Sequence, residues 1–262
     1  ARLQAGQPRW KWSQLRLPLS DALADFGTPG TRPNPHYPFW RLQADRVWEV
    51  AERDTLAAQL TSSGDVQVRL LDDLDPMAGF PSDIEDVLRA RADLVNQIAA
   101  MLLDAHFPPS VHEDLLDAVG FPWVVNTWSR RRDPAFRERI LTLYERRCAV
   151  CGYDGRMGRS ELGLEAAHIK WHSASGPDTD DNGLALCVFH HRAFDRGAVG
   201  IDADHRLLVS AHATGSHGVS DWLHRYAGAP LRPPIPGMAR PRAEFIQWHR
   251  AQVFREPARQ AQ

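Results

Sequence analysis

All three cysteines of the chain fall in one stretch, first as Cys148-Ala-Val-Cys151 and then, 35 residues later, in Cys187-Val-Phe-His190. Two residues between the members of each pair is the usual ligand spacing of a tetrahedral zinc site. A zinc ion held by Cys148, Cys151, Cys187 and His190 would clip together the two ends of a segment too short to build a core of its own. Whatever lies between Cys151 and Cys187 must therefore leave and return to the same point. His191 follows directly. If the chain opens a helix there, neighbours sit about 100° apart around its axis. His190 can then close the clip while His191 faces a second pocket.

Composition bounds the rest. With 262 residues, 43% of them hydrophobic, the chain can build one large or two modest domains. Its 31 basic and 33 acidic side chains leave a formal charge of −2, so any affinity for nucleic acid must come from local patches. One such patch is residues 129–147, SRRRDPAFRERILTLYERR, where seven arginines, Arg130, Arg131 and Arg132 among them, face three acids. Cysteines confined to ligand spacing point to a reducing compartment rather than a disulfide framework. No apolar run reaches the roughly 18–20 residues of a membrane span, and the N-terminus lacks the apolar core of a signal peptide. A cytoplasmic protein is expected.

The pattern along the chain predicts an α+β fold with a boundary near Trp123–Arg132, giving domains of about 1–125 and 126–262. In the first, helical-majority part, Leu19, Ala22, Leu23 and Phe26 share a helical face over Pro18–Phe26, and Gly27 stops it. Residues 27–38 read as loop. Phe39–Val50 reads as two short strands around Ala44-Asp45, and alternating Val66, Val68 and Leu70 as another strand. Ser82-Asp-Ile-Glu85 has the capping-box pattern of a long helix with a stripe of Ile84, Val87, Leu88, Val95, Ile98 and Leu102. Ser110-Val-His-Glu113 opens a shorter helix ending at Gly120. In the second part, Asp133 and Pro134 start a helix burying Phe136, Ile140, Leu143 and Tyr144. Val199–Asp202 and Leu207–Val209 read as a hairpin. A Pro-rich tail follows Gly228, and a last helix spans about Phe245 to Phe254.

Between the clips, Leu164–Ile169 reads as a strand entering a turn, followed by the polar loop WHSASGPDTDDN. Leu184–Cys187 returns as a second strand, and His191 sits on a helix. Strand, loop, strand and helix with a histidine at each end is the ββα-metal arrangement. Its chemistry suits phosphodiester hydrolysis, which needs a base for water and a hard cation to neutralise the transition state; a neutral imidazole supplies the base near pH 7. His168 is assigned as base, Asn182 as the residue fixing the loop, His191 as ligand of a magnesium or manganese ion, and Asp195, four residues on, as its second ligand. Glu165 is read as structural and His172 as solvated.

The motifs Leu164-Glu-Ala-Ala-His168-Ile, Asn182-Gly-Leu-Ala-Leu186 and His191-Arg-Ala-Phe-Asp195-Arg-Gly197 resemble those of the HNH endonuclease family. Many members carry an acidic residue or a second histidine just before the first His, as a metal ligand, where this chain has Ala167. Phe26-Gly27, His36-Tyr-Pro-Phe-Trp-Arg-Leu-Gln43 and Val47-Trp-Glu-Val50 resemble the sulfur-binding domain of phosphorothioate-dependent type IV restriction endonucleases, in which that domain precedes an HNH domain. The resemblance implies an enzyme that binds double-stranded DNA bearing sulfur on its backbone and cuts it near the mark. It also implies a further helix with basic residues before the point where this sequence begins. Tyr37 and Pro38 would form an apolar cup for sulfur, a larger and less strongly hydrated atom than oxygen. Arg32, His36, Arg41 and the Arg130–Arg132 run would hold phosphates. Coordinated cutting of both strands would call for a homodimer. Two other readings compete: an HNH nuclease reading another mark such as methylcytosine, and a non-catalytic zinc-containing DNA-binding protein.

Overall fold

Trp12, Phe39, Val50, Leu56, Val66, Leu71 and Ala78 come together as one buried cluster, so the first 80 residues are organised around aromatic and aliphatic packing. The computed structural model describes residues 8–121 and 134–260. It divides into two units, the first from residues 8–27, 31–101 and 114–121, the second from 28–30, 102–113 and 134–260. Both mix helices with short sheets.

In the first unit, β1 (Arg9–Lys11) leads into α1 (Trp12–Phe26), which starts at Trp12 rather than at Pro18. The Gly27 N–H closes it on the Leu23 carbonyl at 3.0 Å. Next come α2 (His36–Arg41), β2 (Glu49–Val50), α3 (Arg53–Ala57), α4 (Val68–Leu74) and β3 (Met77–Gly79). β3 lies between β1 and β2, antiparallel to both, with Ala78 opposite Trp10 and Val50. The two strands expected over Phe39–Val50 are thus a helix and a turn, with only Glu49–Val50 extended. The reason is packing: α2 sets the Phe39 ring edge-on to Trp12 at 5.0 Å, and Trp48 Nε1 donates to the Phe39 carbonyl at 3.0 Å. The strand expected at Val66–Leu70 is the entry to α4, because Val68 and the fully buried Leu71 meet the core one turn apart.

The long helix expected from Ser82 is two helices, α5 (Ser82–Ala90) and α6 (Ala92–His106), parted at Arg91. Pro81 takes the N-cap position, and no side-chain cap bond forms there. Leu88 and Leu103 are buried, whereas Val87, Ile98 and Leu102 of the expected stripe are exposed. Helix α7 (His112–Ala118) ends before Gly120, whose φ of +62° suits glycine. Ser110, expected to cap α7, instead turns its hydroxyl to the Asp195 carboxylate.

The main stretch of the second unit opens with α8 (Pro134–Leu143), which buries Phe136, Ile140 and Leu143, with Tyr144 just beyond it. Asp133 and Arg130–Arg132 lie outside the described residues. A small hairpin that the sequence pattern did not announce, β4 (Arg156–Met157) and β5 (Ser160–Glu161), precedes β6 (Leu164–His168). β6 pairs antiparallel with β7 (Gly183–Cys187), Leu164 opposite Cys187 and His168 opposite Gly183. Then follow α9 (Val188–Asp195), the expected hairpin β8 (Val199–Ile201) and β9 (Leu207–Val209), α10 (Val219–Trp222) and α11 (Ala243–Gln252). α11 and the residues after it bury Phe245, Ile246, Val253 and Phe254. Its His249 stacks on Phe194 at 3.6 Å, donates from Nε2 to the Phe194 carbonyl, and is pushed down to about 4 by burial.

Two motif glycines have steric reasons. A Cβ on Gly197, at φ +72°, would meet the Val253 carbonyl oxygen at 2.0 Å. A Cβ on Gly183 would lie 2.2 Å from Ile140 Cδ1, so its absence lets α8 lie close on β7. Gly183 has φ −122°, which any residue adopts, so the effect of a substitution there is purely steric. Gly183→Ala is expected to cost about 1–3 kcal/mol through overpacking, read from the urea midpoint of the metal-loaded protein. An unchanged midpoint would contradict the packing account.

Candidate metal centre and nuclease site

The β6–β7 pairing and the start of α9 bring the clip residues together. Cys148, Cys151, Cys187 and His190 place one ligand atom each within 4.8 Å of one another. His190 Nδ1 lies 3.1 Å from Cys187 Sγ and 3.7 Å from Cys148 Sγ, and Cys151 and Cys187 sulfurs are 3.9 Å apart. His190 Nε2 donates to the Trp222 carbonyl at 3.0 Å, which leaves the Nδ1 lone pair for the cluster. Contacts with Cys151 and Cys187 hold the Cys148 thiol far below its usual range, while Cys148 and Cys151 push the Cys187 thiol up. Three sulfurs so close cannot all be thiolates without a positive partner. His190 is raised to about 9, the pull of Cys148 and Cys151 outweighing burial. The donor set fits a tetrahedral metal ion.

The next residue along α9, His191, faces a different set. Its ring is 3% exposed and lies between two carboxylates: Nδ1 is 2.6 Å from Glu165 Oε2, and Nε2 is 3.1 Å from Asp195 Oδ2. Burial opposes a charged ring, but Asp195 and Glu165 prevail and raise His191 to about 9. Asp195 is itself held below the usual carboxylate range despite complete burial, by His191 and the Ser110 hydroxyl. Its other oxygen accepts from Trp171 Nε1 at 3.2 Å.

His168 ends β6, its ring stacked on Phe136 at 4.2 Å. Its Nε2 donates to Asp178 Oδ1 at 2.7 Å. Asn182 is wholly buried and spans the loop: Oδ1 accepts from Lys170 N at 2.8 Å, and Nδ2 donates to the Lys170 and Pro177 carbonyls at 3.0 and 2.9 Å. Arg139 from α8 adds a bond to the Asp178 carbonyl at 2.8 Å and an ion pair with Asp180. Sequence reasoning read Glu165 as structural and did not single out Asp178, and so missed their pairing with His191 and His168. Glu165 sits in a strand with no acidic partner nearby in sequence. Asp178 is one of three aspartates in its loop, and of these Asp180 pairs with Arg139 and Asp181 with Arg242. The basic patch is partly structural too: Arg137 donates to the Leu164 carbonyl, and Arg146 pairs with Glu138 and Glu161.

In the first unit, Arg32 and His36 line a groove of about 580 Å3 together with Trp12, Arg16, Pro33 and Pro35. Burial lowers the His36 pKa, against the pull of Asp65. Tyr37 and Pro38, half-buried on the first turn of α2, lie outside that lining. Arg41 also lies outside it. It makes a two-pronged pair with Asp65 at 2.7 and 2.8 Å and covers the Tyr37 ring at 4.2 Å.

A sheet-turn-helix unit with a Cys3His clip and a histidine at each end defines the class: residues 148–202 match the HNH endonuclease family. Residues 1–122 match the ScoMcrA-like DNA sulfur-binding domain. The chain therefore joins a DNA sulfur-binding domain to an HNH nuclease domain. Among solved structures, it is similar to the sulfur binding domain of ScoMcrA complexed with phosphorothioated DNA (27% identity, TM-score 0.38, 46% of this chain and 80% of that one). It is also similar to the modification dependent TagI restriction endonuclease (24% identity, TM-score 0.38, 48% of this chain and 39% of that one). For the type IV phosphorothioation-dependent restriction endonuclease ScoMcrA the values are 26% identity and TM-score 0.37, over 47% of this chain and 29% of that one. The matches thus span well under half the length of the TagI and ScoMcrA chains. No curated protein matches. No helix among the described residues is long and apolar enough to cross a membrane.

Loss of one sulfur ligand provides the test of the clip. Cys187→Ser is expected to weaken binding of zinc, the probe, by at least about 100-fold, measured by competition with a chromophoric chelator. Unchanged affinity would remove Cys187 from the ligand set.

Proposed function

We propose that the chain is a metal-dependent DNA endonuclease whose N-terminal unit reads a backbone phosphorothioate and whose C-terminal unit hydrolyses a nearby phosphodiester. The observation that carries the reading is the pairing of a fixed base with a second, carboxylate-flanked histidine on one ββα unit: His168 on Asp178 at 2.7 Å, and His191 on α9. An imidazole donating from Nε2 to a carboxylate keeps its lone pair on Nδ1, the form that can take a proton from water. Asp178 also favours the imidazolium that results. Asn182 holds the loop that carries His168, so the base does not drift. A magnesium or manganese ion at His191 supplies, when bound, the positive charge that offsets charge building on the phosphate and the departing 3′ oxygen.

Zinc is assigned to Cys148, Cys151, Cys187 and His190, because thiolate and imidazole donors in a tetrahedral set favour it. Its role is structural. Closed by four protein ligands, it has no open position for substrate. His191, with Glu165 or Asp195, belongs to the catalytic ion.

In the reader, Tyr37 and Pro38 offer apolar faces to sulfur, which sheds its water more cheaply than oxygen does. Arg41, tied to Asp65, stiffens the Tyr37 face rather than reaching for a phosphate. Arg32 and His36 in the groove, and the Arg130–Arg132 run, meet flanking phosphates. The near-neutral overall charge then leaves the modified phosphate to tip the balance between binding and release. Two copies would be needed to cut both strands in one event, and the setting is the cytoplasm, where such DNA is met.

The test uses two matched duplexes, one bearing a single stereodefined phosphorothioate. Manganese-dependent cutting of the modified duplex alone, abolished by EDTA, is the expected result. His168→Ala is expected to slow cutting by on the order of 100- to 10,000-fold while duplex affinity is kept. Equal cutting of both duplexes would remove the sulfur reader, and retained cutting in His168→Ala would remove the assigned base.

A further inference from the structure

We infer that Glu165, and not Asp195, is the carboxylate that joins His191 in holding the catalytic cation, and that Asp195 positions the His191 ring from behind. The inference rests on the nuclease reading above. His191 has two nitrogens, and each faces a different carboxylate: Nδ1 faces Glu165 and Nε2 faces Asp195. An imidazole that binds a metal ion through one nitrogen ordinarily donates its other N–H to a carboxylate or carbonyl, which fixes the ring. One of the two acids is therefore a ligand and the other an anchor.

Burial decides which. The Asp195 side chain is 2% exposed, and its two oxygens are taken up by Trp171 Nε1 on one side and by Ser110 and His191 on the other. A magnesium- or manganese-type ion keeps several waters and must meet the substrate phosphate, so it needs an open side. The Glu165 side chain, at the Nδ1 edge of the ring, is 38% exposed and so gives that edge a route to solvent. The strand supplies a second argument. Side chains alternate along β6, so Glu165 shares a face with Ala167, beside His168. The methyl group of Ala167 cannot bind a cation. Glu165, two residues earlier and with a longer side chain, brings a carboxylate to the same side.

The test is manganese binding to the full, zinc-loaded chain, read by electron paramagnetic resonance with the imidazole-nitrogen coupling as the signature of His191. Glu165→Gln is expected to weaken manganese binding by at least about 100-fold, and Asp195→Asn by about 10-fold with the nitrogen coupling kept, since anchoring partners usually cost 10- to 100-fold. Retained zinc at the Cys3His cluster reports an intact fold. Glu165→Asp, which keeps the charge on a shorter arm, should recover part of the affinity. Wild-type affinity in Glu165→Gln together with loss of binding in Asp195→Asn would reverse the assignment. Manganese binding without nitrogen coupling in the wild type would instead overturn the role of His191, and with it the nuclease reading on which the inference rests.

Discussion

The Cys3His cluster is the constraint on which the second unit depends. It ties the turn after α8 to the end of β7, and α9 begins at the very next residue. β7 carries the clip ligand Cys187 and pairs with β6, which puts His168 opposite Gly183. A zinc ion bound by such a donor set would add on the order of 10 kcal/mol of folding free energy to the burial of Leu164, Ala167, Ile169 and Leu184 in the core. Placing His190 and His191 next to each other then turns one helix start into two sites. His190 looks to the sulfurs and His191 to the carboxylates.

Around that frame the polar groups are fixed rather than free. Asp178 holds His168, Asn182 spans the loop with three hydrogen bonds, and Asp195 sits behind His191 under Ser110 and Trp171. Asn182 and Asp195 are buried groups that would cost a few kcal/mol if left alone there, and each is satisfied by neighbours instead. The same logic explains Gly183. Its missing side chain lets Ile140 and Phe136 of α8 press on the strand that carries the site.

Much of the second unit was legible in sequence because its signals are chemical. Cysteine spacing, the two histidines and an asparagine before a glycine name their own positions, and Phe136, Ile140 and Leu143 mark the buried face of α8. The first unit was harder. Phe39–Val50 and Val66–Leu70 read as strands, yet Phe39 lies on α2 and Val68–Leu70 open α4, because Phe39 and Leu71 reach the Trp12 core, a tertiary demand that local pattern does not record. The use of Ser110 for Asp195 rather than for a helix cap was likewise settled by a distant partner. The histidine partners of Glu165, read as structural, and of Asp178 escaped notice for the same reason. A carboxylate in a strand or an acidic loop says nothing until pairing and loop closure bring a histidine to it.

Under the proposed function, one clip metal and one catalytic metal occupy neighbouring but separate sites. Metal content after extended dialysis of zinc-loaded protein against manganese tests it most directly. One zinc retained per chain, with one manganese that exchanges freely and disappears in His191→Ala, is the predicted outcome. Loss of the zinc together with the manganese, or manganese uptake unaffected by His191→Ala, would contradict it.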